Sequence, residues 1–349
     1  MNILLLEGDM SRSGGTERMT AWLANALCKN HDVSIMSLSG SEKSFFELSP
    51  EITHSVLPKD QPRRAIRKVL IGQKIDILIN VDTGMSIFGI PAAFGLRTKV
   101  ITWEHSNFCN NWGSRWFPLI RRFAAHRSDA IVVLTERDKL NYEQNISRCR
   151  PVRVIHNPVK RQTVSYKSES KIILSAGHLA PVKRFTLIPE IGRQIFPQFP
   201  DWQWRICGEG SEREMIEKKI AEYGLERNII LAGRIGDMES EYRNAAIYAM
   251  TSEHEGLPMV LLEAKSYGLP IVSFDIMTGP AEIVCDSVNG FLVESGDCAA
   301  MADRLAMLMG NDELRNDFSE HTADGIEMFD EREVLTEWER VFAELISHH

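Results

Sequence analysis

The chain has 349 residues, more than one hydrophobic core usually organises, so two domains are expected. Its hydrophobic share of 44% and charged share of 25% are those of an ordinary globular protein, and it lacks the 18-residue apolar run that a membrane-spanning helix needs. The apolar run near Met1 is short and has no basic leader, which predicts a cytoplasmic protein without a signal peptide.

The net charge of −8 is unevenly distributed. Residues 1–165 hold 23 Lys and Arg against 15 Asp and Glu, whereas the remainder holds 17 against 33. Either the first half faces an anionic partner, such as phospholipid headgroups or a phosphorylated acceptor, or one domain is simply basic. No nucleic-acid-binding module is recognisable, so nucleic acid is not expected as a partner. The six cysteines show no CxxC spacing and no Cys/His cluster, which predicts reduced thiols and no metal.

Apolar runs of strand length alternate with amphipathic helical patterns along the whole chain. In the first half the predicted strands are 2–7, 32–38, 75–81, 98–104, 129–135 and 152–156, and the predicted helices are 16–29, 63–73, 115–127 and 136–145. In the second half the strands are 171–177, 202–207, 228–233, 247–252, 270–275 and 290–293, with helices at 185–196, 211–223, 258–268, 297–309, 311–325 and 330–347. This order predicts two doubly wound α/β domains, each with a parallel sheet covered on both faces.

The predicted boundary follows Asn157 and Pro158, where a polar segment over 160–171 is typical of a linker. We expect an N-terminal domain over 1–162, a C-terminal domain over 163–329, and a final helix over 330–349 that packs back toward the first domain. Ligands of doubly wound sheets bind at the carboxyl ends of the strands, so the cleft between the domains is the expected site.

Several predicted strands run into glycine-rich, basic or polar loops. Gly14 and Gly15 precede a helix, where close backbone approach and the helix N-terminus favour an anion, although a flexible loop looks the same. The loop 177–184 carries adjacent cations, Lys183 and Arg184, which suit a diphosphate or a solvated surface equally well. Further candidates after strands, each with a structural alternative, are His105, Gly208, Arg234 and Ile235.

The most informative segment runs from Glu253 to Ala264 and contains two glutamates eight positions apart. A glycine turn lets Glu255 reach a sugar, and the N–H groups at the start of the following helix point at the phosphates or sugar of a bound ligand. Glu263 lies among apolar residues and needs a partner such as ribose hydroxyls, because an unpaired buried charge is costly.

Aromatic and basic side chains are mixed in the segment 107–127. This composition suits a membrane interface or, alternatively, a core helix with a basic outer face. The residues assigned to acceptor or membrane contact are Trp112, Arg115, Trp116, Arg121 and Arg122.

These motifs resemble those of the GT-B fold glycosyltransferases of family 4, the retaining group 1 enzymes of bacterial polysaccharide assembly. The resemblance covers nearly the whole chain. It is most specific in the glutamate pair with the downstream segments 268–270, 279–283 and 290–293.

The resemblance implies a role for each matching residue. Glu255 would contact hydroxyls of the donor sugar, and Glu263 would bind the nucleotide ribose. Lys183 would bind the diphosphate, which Gly15 would approach from the other domain, and His105 would touch the donor sugar. The backbone positions implied to line the sugar-diphosphate pocket are Gly256, Leu257 and Met259.

One departure from the family concerns the side chains that would bind the diphosphate. His178 stands where the family usually has Arg. Neutral His makes a weaker, pH-dependent phosphate contact, which Arg184 is expected to compensate. The resemblance further implies a nucleotide diphosphate sugar as donor, a glycan or lipid-linked acceptor, and neither cofactor nor metal. Retention through a covalent carboxylate or a front-face substitution stays open. So do two alternative functions, a sugar-nucleotide epimerase and a non-catalytic sugar-nucleotide-binding component of a polysaccharide assembly complex.

Overall fold

The structure is a computed structural model that describes residues 1–162 and 166–347. Its residue contacts divide the chain into two units, one formed by 1–157 with the segment from Glu331 onward, the other by 158–330. In the described ranges no helix combines the length and apolar content needed to cross a bilayer.

The first unit is built on a parallel sheet of seven strands in the order β3-β2-β1-β4-β5-β6-β7. The central strands are fully buried apolar runs, as expected for a sheet covered on both faces. The order reverses between β1 and β4, and ligands bind at such switch points. The strands are β1 (Asn2–Glu7), β2 (Asp32–Ser37), β3 (Thr53–Val56), β4 (Ile77–Val81), β5 (Lys99–Trp103), β6 (Ala130–Val133) and β7 (Val152–Val154).

Helices connect these strands, and each has buried residues. The helices are α1 (Gly15–Leu27), α2 (Pro62–Gly72), α3 (Ser86–Ala93), α4 (Phe117–Arg127) and α5 (Glu136–Asn145), and the C-terminal α13 (Glu331–Ser347) joins the same unit. Trp338 of α13 is fully buried against Trp103 of β5, with ring centroids 5.0 Å apart. At the helix start, Trp22 Nε1 donates to Glu331 Oε1 at 2.9 Å, so both apolar and polar contacts hold α13 on this sheet.

The second unit repeats the plan with six parallel strands in the order β10-β9-β8-β11-β12-β13, reversing between β8 and β11. The strands are β8 (Ile172–Ala176), β9 (Gln203–Cys207), β10 (Ile229–Gly233), β11 (Ile247–Met250), β12 (Ile271–Asp275) and β13 (Gly290–Glu294). The helices are α6 (Ile188–Ile195), α7 (Arg213–Glu222), α8 (Met238–Asn244), α9 (Met259–Ser266), α10 (Pro280–Ile283), α11 (Cys298–Met309) and α12 (Asp312–Glu320).

Four of these elements were not predicted, each for a local reason. The edge strand β3 has one exposed and three half-buried residues and no apolar run. Helix α3 is apolar nearly all round and contains Pro91, so it shows no amphipathic stripe. Helix α8 is short and polar, and α10 has only four residues. The helix predicted over 311–325 is present as α12 but was predicted too long, because α12 ends at Glu320 and short 3-10 turns follow.

The predicted domain boundary differs from the observed division. The division by contacts falls after Asn157 and again after Asp330. The predicted first residue of the second domain, 163, and the last two residues of the predicted final helix lie outside the described residues.

Candidate functional site

Two neighbouring strands of the second unit bring Lys183 and Glu255 together. β8 and β11 lie side by side at the switch point, so the loops after them share the carboxyl edge of the sheet. Thr251 Oγ1 donates to Lys183 O at 2.8 Å and locks the loops together. Lys183 Nζ lies 2.6 Å from Glu255 Oε1, with the two side chains 21% and 14% exposed. The structure thus pairs the cation and the carboxylate that the sequence assigned to the donor.

Arg184, the next residue, makes a second ion pair at the same edge. Its backbone is left-handed at φ 49°, an uncommon conformation for a non-glycine residue, and its guanidinium lies 2.6 Å from Glu253 Oε1. His178 in the same loop is exposed. A diphosphate that binds these cations must therefore draw Lys183 and Arg184 away from carboxylate partners.

The glycine turn at Gly208 holds three loops of this edge in register. Its N–H donates to Gly233 O at 2.8 Å, and Leu179 N donates to Glu209 O at 2.9 Å. Gly208 has φ +148°, and a Cβ added there would lie 1.8 Å from Gly177 O. Only glycine fits this contact. Of the residues predicted after β10, Arg234 is exposed and Ile235 is half-buried.

The loop after β12 is hydrogen-bonded to the start of the segment between Glu255 and α9. Thr278 Oγ1 donates to Glu255 O at 2.7 Å, which fixes the backbone of the glutamate. Leu257 is buried, whereas Gly256 and Met259 are half-buried at the start of α9. The predicted backbone positions therefore lie beside the Lys183–Glu255 pair.

Glu263 has a partner that the sequence analysis missed. Tyr242 of α8 is 2% exposed and donates its hydroxyl to Glu263 Oε2 at 2.7 Å. Its ring stacks on Tyr267 with centroids 5.2 Å apart and planes 11° apart. Helix α8 was not predicted, so no sequence signal pointed to Tyr242. We expect Tyr242 to orient the Glu263 carboxylate.

Replacing Tyr242 with phenylalanine should weaken donor binding by roughly tenfold, the equivalent of one hydrogen bond to a charged group at about 1.5 kcal/mol. The ring stack survives in this variant, so folding should be preserved. Calorimetric titration with the donor nucleotide checks the result. Tyr223→Phe, in a residue outside the predicted donor loops, is the control, and equal affinity in both variants would contradict the role of Tyr242.

In the first unit the predicted loop after β1 packs against buried carboxylates. Glu17 of α1 folds back on the loop, since a Cβ at Gly14 would lie 2.2 Å from its Oε2. Glu7 at the end of β1 accepts from Thr20 Oγ1 at 2.8 Å, and burial raises its pKa to about 7. Gly15 opens α1 with nothing within 4 Å of an added Cβ, so this loop leaves space beside the helix N-terminus.

His105 lies one residue beyond Glu104, just after β5, as predicted. Its ring packs on Trp103 with centroids 4.0 Å apart. Burial lowers the pKa of His105 to about 3, so the imidazole is neutral at pH 7. Its Nε2 is buried and finds no hydrogen-bond partner among the described residues. The unpartnered ring nitrogen is therefore buried, and the ring is uncharged at pH 7.

A group of acids along the same edge went unnoticed in the sequence: Glu104 and Asp138 are buried and Asp82 is half-buried. Glu104 is fully buried and accepts from Thr83 Oγ1 at 2.5 Å and from Tyr142 at 3.1 Å. Burial, followed by the charge of Glu104, raises the pKa of Asp82 to about 7. Burial likewise raises the pKa of Asp138 to about 7. The three acids come from separate segments, so only folding collects them.

The raised pKa values predict that this unit loses stability as pH rises. Between the ordinary carboxyl pKa near 4 and about 7, the unfolded chain has released a proton that the folded Asp138 retains. Stability should therefore be greater at pH 5 than at pH 7.5. The Asp138→Asn variant keeps a side-chain oxygen that can accept from Phe108 N. In urea unfolding, the pH dependence of its free energy of unfolding should be smaller than that of wild type by one proton. An unchanged pH dependence would contradict this assignment.

The predicted acceptor or membrane segment is only partly a surface. Trp112 and Trp116 are 62% and 59% exposed, and the Arg115 guanidinium lies 5.1 Å from the centroid of the Trp116 ring. Arg122 is also exposed. The assignment of Arg121 to this surface was wrong: it is 2% exposed and donates to Asn110 O at 2.7 Å, because the preceding loop supplies carbonyls that replace water.

Two family profiles together cover most of the chain. The profile described as "Glycosyl transferases group 1" matches residues 157–324, and the profile described as "Glycosyltransferase Family 4" matches residues 13–162.

Relatives and solved structures agree with these profiles. An "Uncharacterized glycosyltransferase" of Haemophilus influenzae is 30% identical, covering 95% of this chain and 97% of its own. The "GalNAc-alpha-(1->4)-GalNAc-alpha-(1->3)-diNAcBac-PP-undecaprenol alpha-1,4-N-acetyl-D-galactosaminyltransferase" of Campylobacter jejuni is 28% identical, over 95% and 96%. The crystal structure of Anabaena HepE in complex with UDP matches with a TM-score of 0.82 at 16% identity, over 99% of this chain and all of the other. This chain belongs to the group 1, family 4 glycosyltransferases and has their two-domain α/β GT-B fold.

Proposed function

We propose that the protein is a retaining glycosyltransferase that moves a hexose or N-acetylhexosamine from a UDP-sugar to a lipid-linked or growing glycan. The product would be an exopolysaccharide, a capsule or a lipopolysaccharide. The observation that carries this proposal is the Lys183–Glu255 pair, 2.6 Å apart at the switch point of the second sheet. It combines a cation for a departing diphosphate with a carboxylate for sugar hydroxyls.

The proposed chemistry is electrostatic. As the anomeric bond breaks, negative charge grows on the leaving diphosphate, and Lys183 and Arg184 stabilise it after leaving their carboxylate partners. Glu255, released from Lys183, accepts hydrogen bonds from the sugar, while Glu263, oriented by Tyr242, holds the ribose. Neutral His105 contacts the donor sugar. The acceptor hydroxyl attacks from the face that the diphosphate leaves and passes its proton to the departing phosphate oxygen, so configuration is retained, and no metal is required.

Relatives support the choice of donor and acceptor classes. The HepE structure contains UDP. The Campylobacter relative is named for an acceptor that carries a polyprenol diphosphate. A protein using such an acceptor would work at an anionic membrane surface on the cytoplasmic side, and exposed Trp112, Trp116 and Arg122 are suited to that contact.

The test is nucleotide release from UDP-, GDP- and ADP-sugars, with and without EDTA and with and without a membrane lipid extract. Release of one nucleotide that the extract enhances and EDTA leaves unchanged is expected. Retention is read from the anomeric configuration of the product by NMR. Donor conversion without an acceptor would indicate an epimerase instead, and donor binding without release would indicate a binding component.

The membrane contact has its own measurement. Trp116→Ala should reduce sedimentation with anionic vesicles by roughly tenfold, since an interfacial tryptophan is worth on the order of 1–2 kcal/mol. Trp116 is exposed, so the variant should fold. Phe45→Ala, at another exposed aromatic residue, is the matched control, and equal sedimentation of both variants would contradict a contact through Trp116.

A further inference from the structure

A cavity in the first unit has none of the residues assigned to the donor in its wall. It has a volume of about 340 Å³, within the range of small-molecule sites, which begins at about 300 Å³. It lies between the loop that follows His105, the first turns of α4 and the C-terminal end of α5. Its walls include Phe108, Cys109, Pro118, Arg122, Asn145 and Ile146.

The walls of this cavity are mainly apolar. Ile146 is 2% exposed, and the Phe108 ring packs edge-on against Tyr142 with centroids 5.0 Å apart. Pro118, in the first turn of α4, has no N–H to offer a ligand. A free sugar would lose hydrogen bonds to water here, whereas a hydrocarbon chain would gain from leaving water.

Cations surround the apolar walls. Arg121 lines the cavity and is 2% exposed, yet its Nε has no hydrogen-bond partner in the described part of the chain. Arg122 is exposed beside it. The loop between α5 and β7 carries exposed Arg148 and Arg150. It lies against α4, since Arg150 N donates a hydrogen bond to Ala125 O at 2.9 Å. Glu143 is the exposed acid on the adjoining part of α5, so positive charge prevails.

We propose that this cavity binds the first isoprenoid units of a lipid-linked acceptor, with the diphosphate that follows them held by Arg122. The apolar walls take the chain, and the cations take the phosphates, a combination that a neutral lipid or inorganic phosphate does not match. The inference rests on the proposed function, because it assigns the acceptor of that transferase to a lipid carrier. It places the lipid in a defined cavity and not merely on a membrane surface.

Cys109 provides a direct probe of occupancy. It is an exposed free cysteine in the cavity wall, and Cys285 in the second unit is also exposed. Maleimide labelling of both thiols in the full-length protein can be followed by peptide mass spectrometry with farnesyl diphosphate as the probe. Labelling of Cys109 should slow by about tenfold at a probe concentration of about ten times its Kd, with Cys285 unchanged.

Three further additions identify the chemistry that binds. Inorganic diphosphate, farnesol and anionic phospholipid vesicles should each protect Cys109 far less than farnesyl diphosphate does. Equal protection by vesicles would mean surface contact and would overturn the cavity assignment. Absence of protection, or equal protection of both cysteines, would also overturn it.

A filling variant separates the cavity from the rest of the helix. Asn145→Trp places a large ring at the exposed end of α5 in the cavity wall, and Gln144→Trp makes the same change one residue away, outside the wall. Protection should be lost only in Asn145→Trp, with the Kd for UDP unchanged. Protection that survives in Asn145→Trp would overturn the site. If wild type shows protection but no sugar transfer, the proposed function fails while the lipid site stands.

Discussion

Glu255→Gln is expected to lower kcat/KM by roughly 10²–10³-fold, on the order of 3–4 kcal/mol of transition-state stabilisation. Glutamine keeps the length and the carbonyl oxygen of the side chain but loses the charge. In the free protein that charge pairs with Lys183 at 2.6 Å, and in our proposal it then receives hydroxyls of the donor sugar. Steady-state kinetics with the donor found in the nucleotide screen give the ratio.

The matched control is Glu217→Gln. Glu217 lies on α7, is 51% exposed and pairs with Arg213 at 2.9 Å. This variant also loses a salt bridge, but Glu217 is not one of the predicted donor residues. Its kinetics should equal those of wild type, because exposed ion pairs contribute little. Equal activity of the Glu255 variant and this control would refute the assigned role of Glu255.

Gly208→Ala should destabilise the second unit by roughly 2–4 kcal/mol or prevent its folding. The new methyl group would lie 1.8 Å from the carbonyl oxygen of Gly177, and φ is +148°, which L side chains rarely adopt. The clash is with backbone, so no side-chain rotation relieves it. Relief requires displacement of the loop before Lys183, and donor affinity should fall with stability. Urea unfolding and donor titration measure the two effects.

Gly236→Ala tests whether glycine replacement alone explains that loss. An added Cβ at Gly236 meets nothing within 4 Å and its φ is not positive, so this variant should equal or slightly exceed wild type in stability. A Gly208 variant as stable as the Gly236 variant would show that the loops around Gly177 have more freedom than the structure indicates.

The two sheets differ in the exposure and charge of the ionisable side chains at their carboxyl edges. At the edge of the second sheet, Lys183 and Glu255 are partly exposed and paired, so in our proposal donor binding exchanges one ion pair for others. At the edge of the first sheet, burial raises the carboxyl pKa values of Glu7, Asp82 and Asp138 to about 7. Burial also lowers the imidazole pKa of His105 to about 3. Near neutral pH the first edge therefore carries less charge than its composition suggests.

Local sequence was sufficient to predict the alternation of strands and helices and the parallel sheets. Those features depend on runs of neighbouring apolar residues such as 3–6 and 77–79. All residues of these two runs are fully buried in the structure. The segment around Glu255 was recognisable for the same reason. A glycine turn, a proline and the start of a helix lie next to one another in the chain, and their conformational preferences are local.

Tertiary structure decided which side chains meet. Lys183 and Glu255 are 72 positions apart, and they pair only because the order of strands makes β8 and β11 neighbours. Tyr242 reaches Glu263 from a helix with no clear pattern, and Arg121 is buried by carbonyls of a loop that precedes its helix. Burial, partner distance and the pKa shifts that follow depend on contacts between distant segments, and a local pattern of residues carries no information about those contacts.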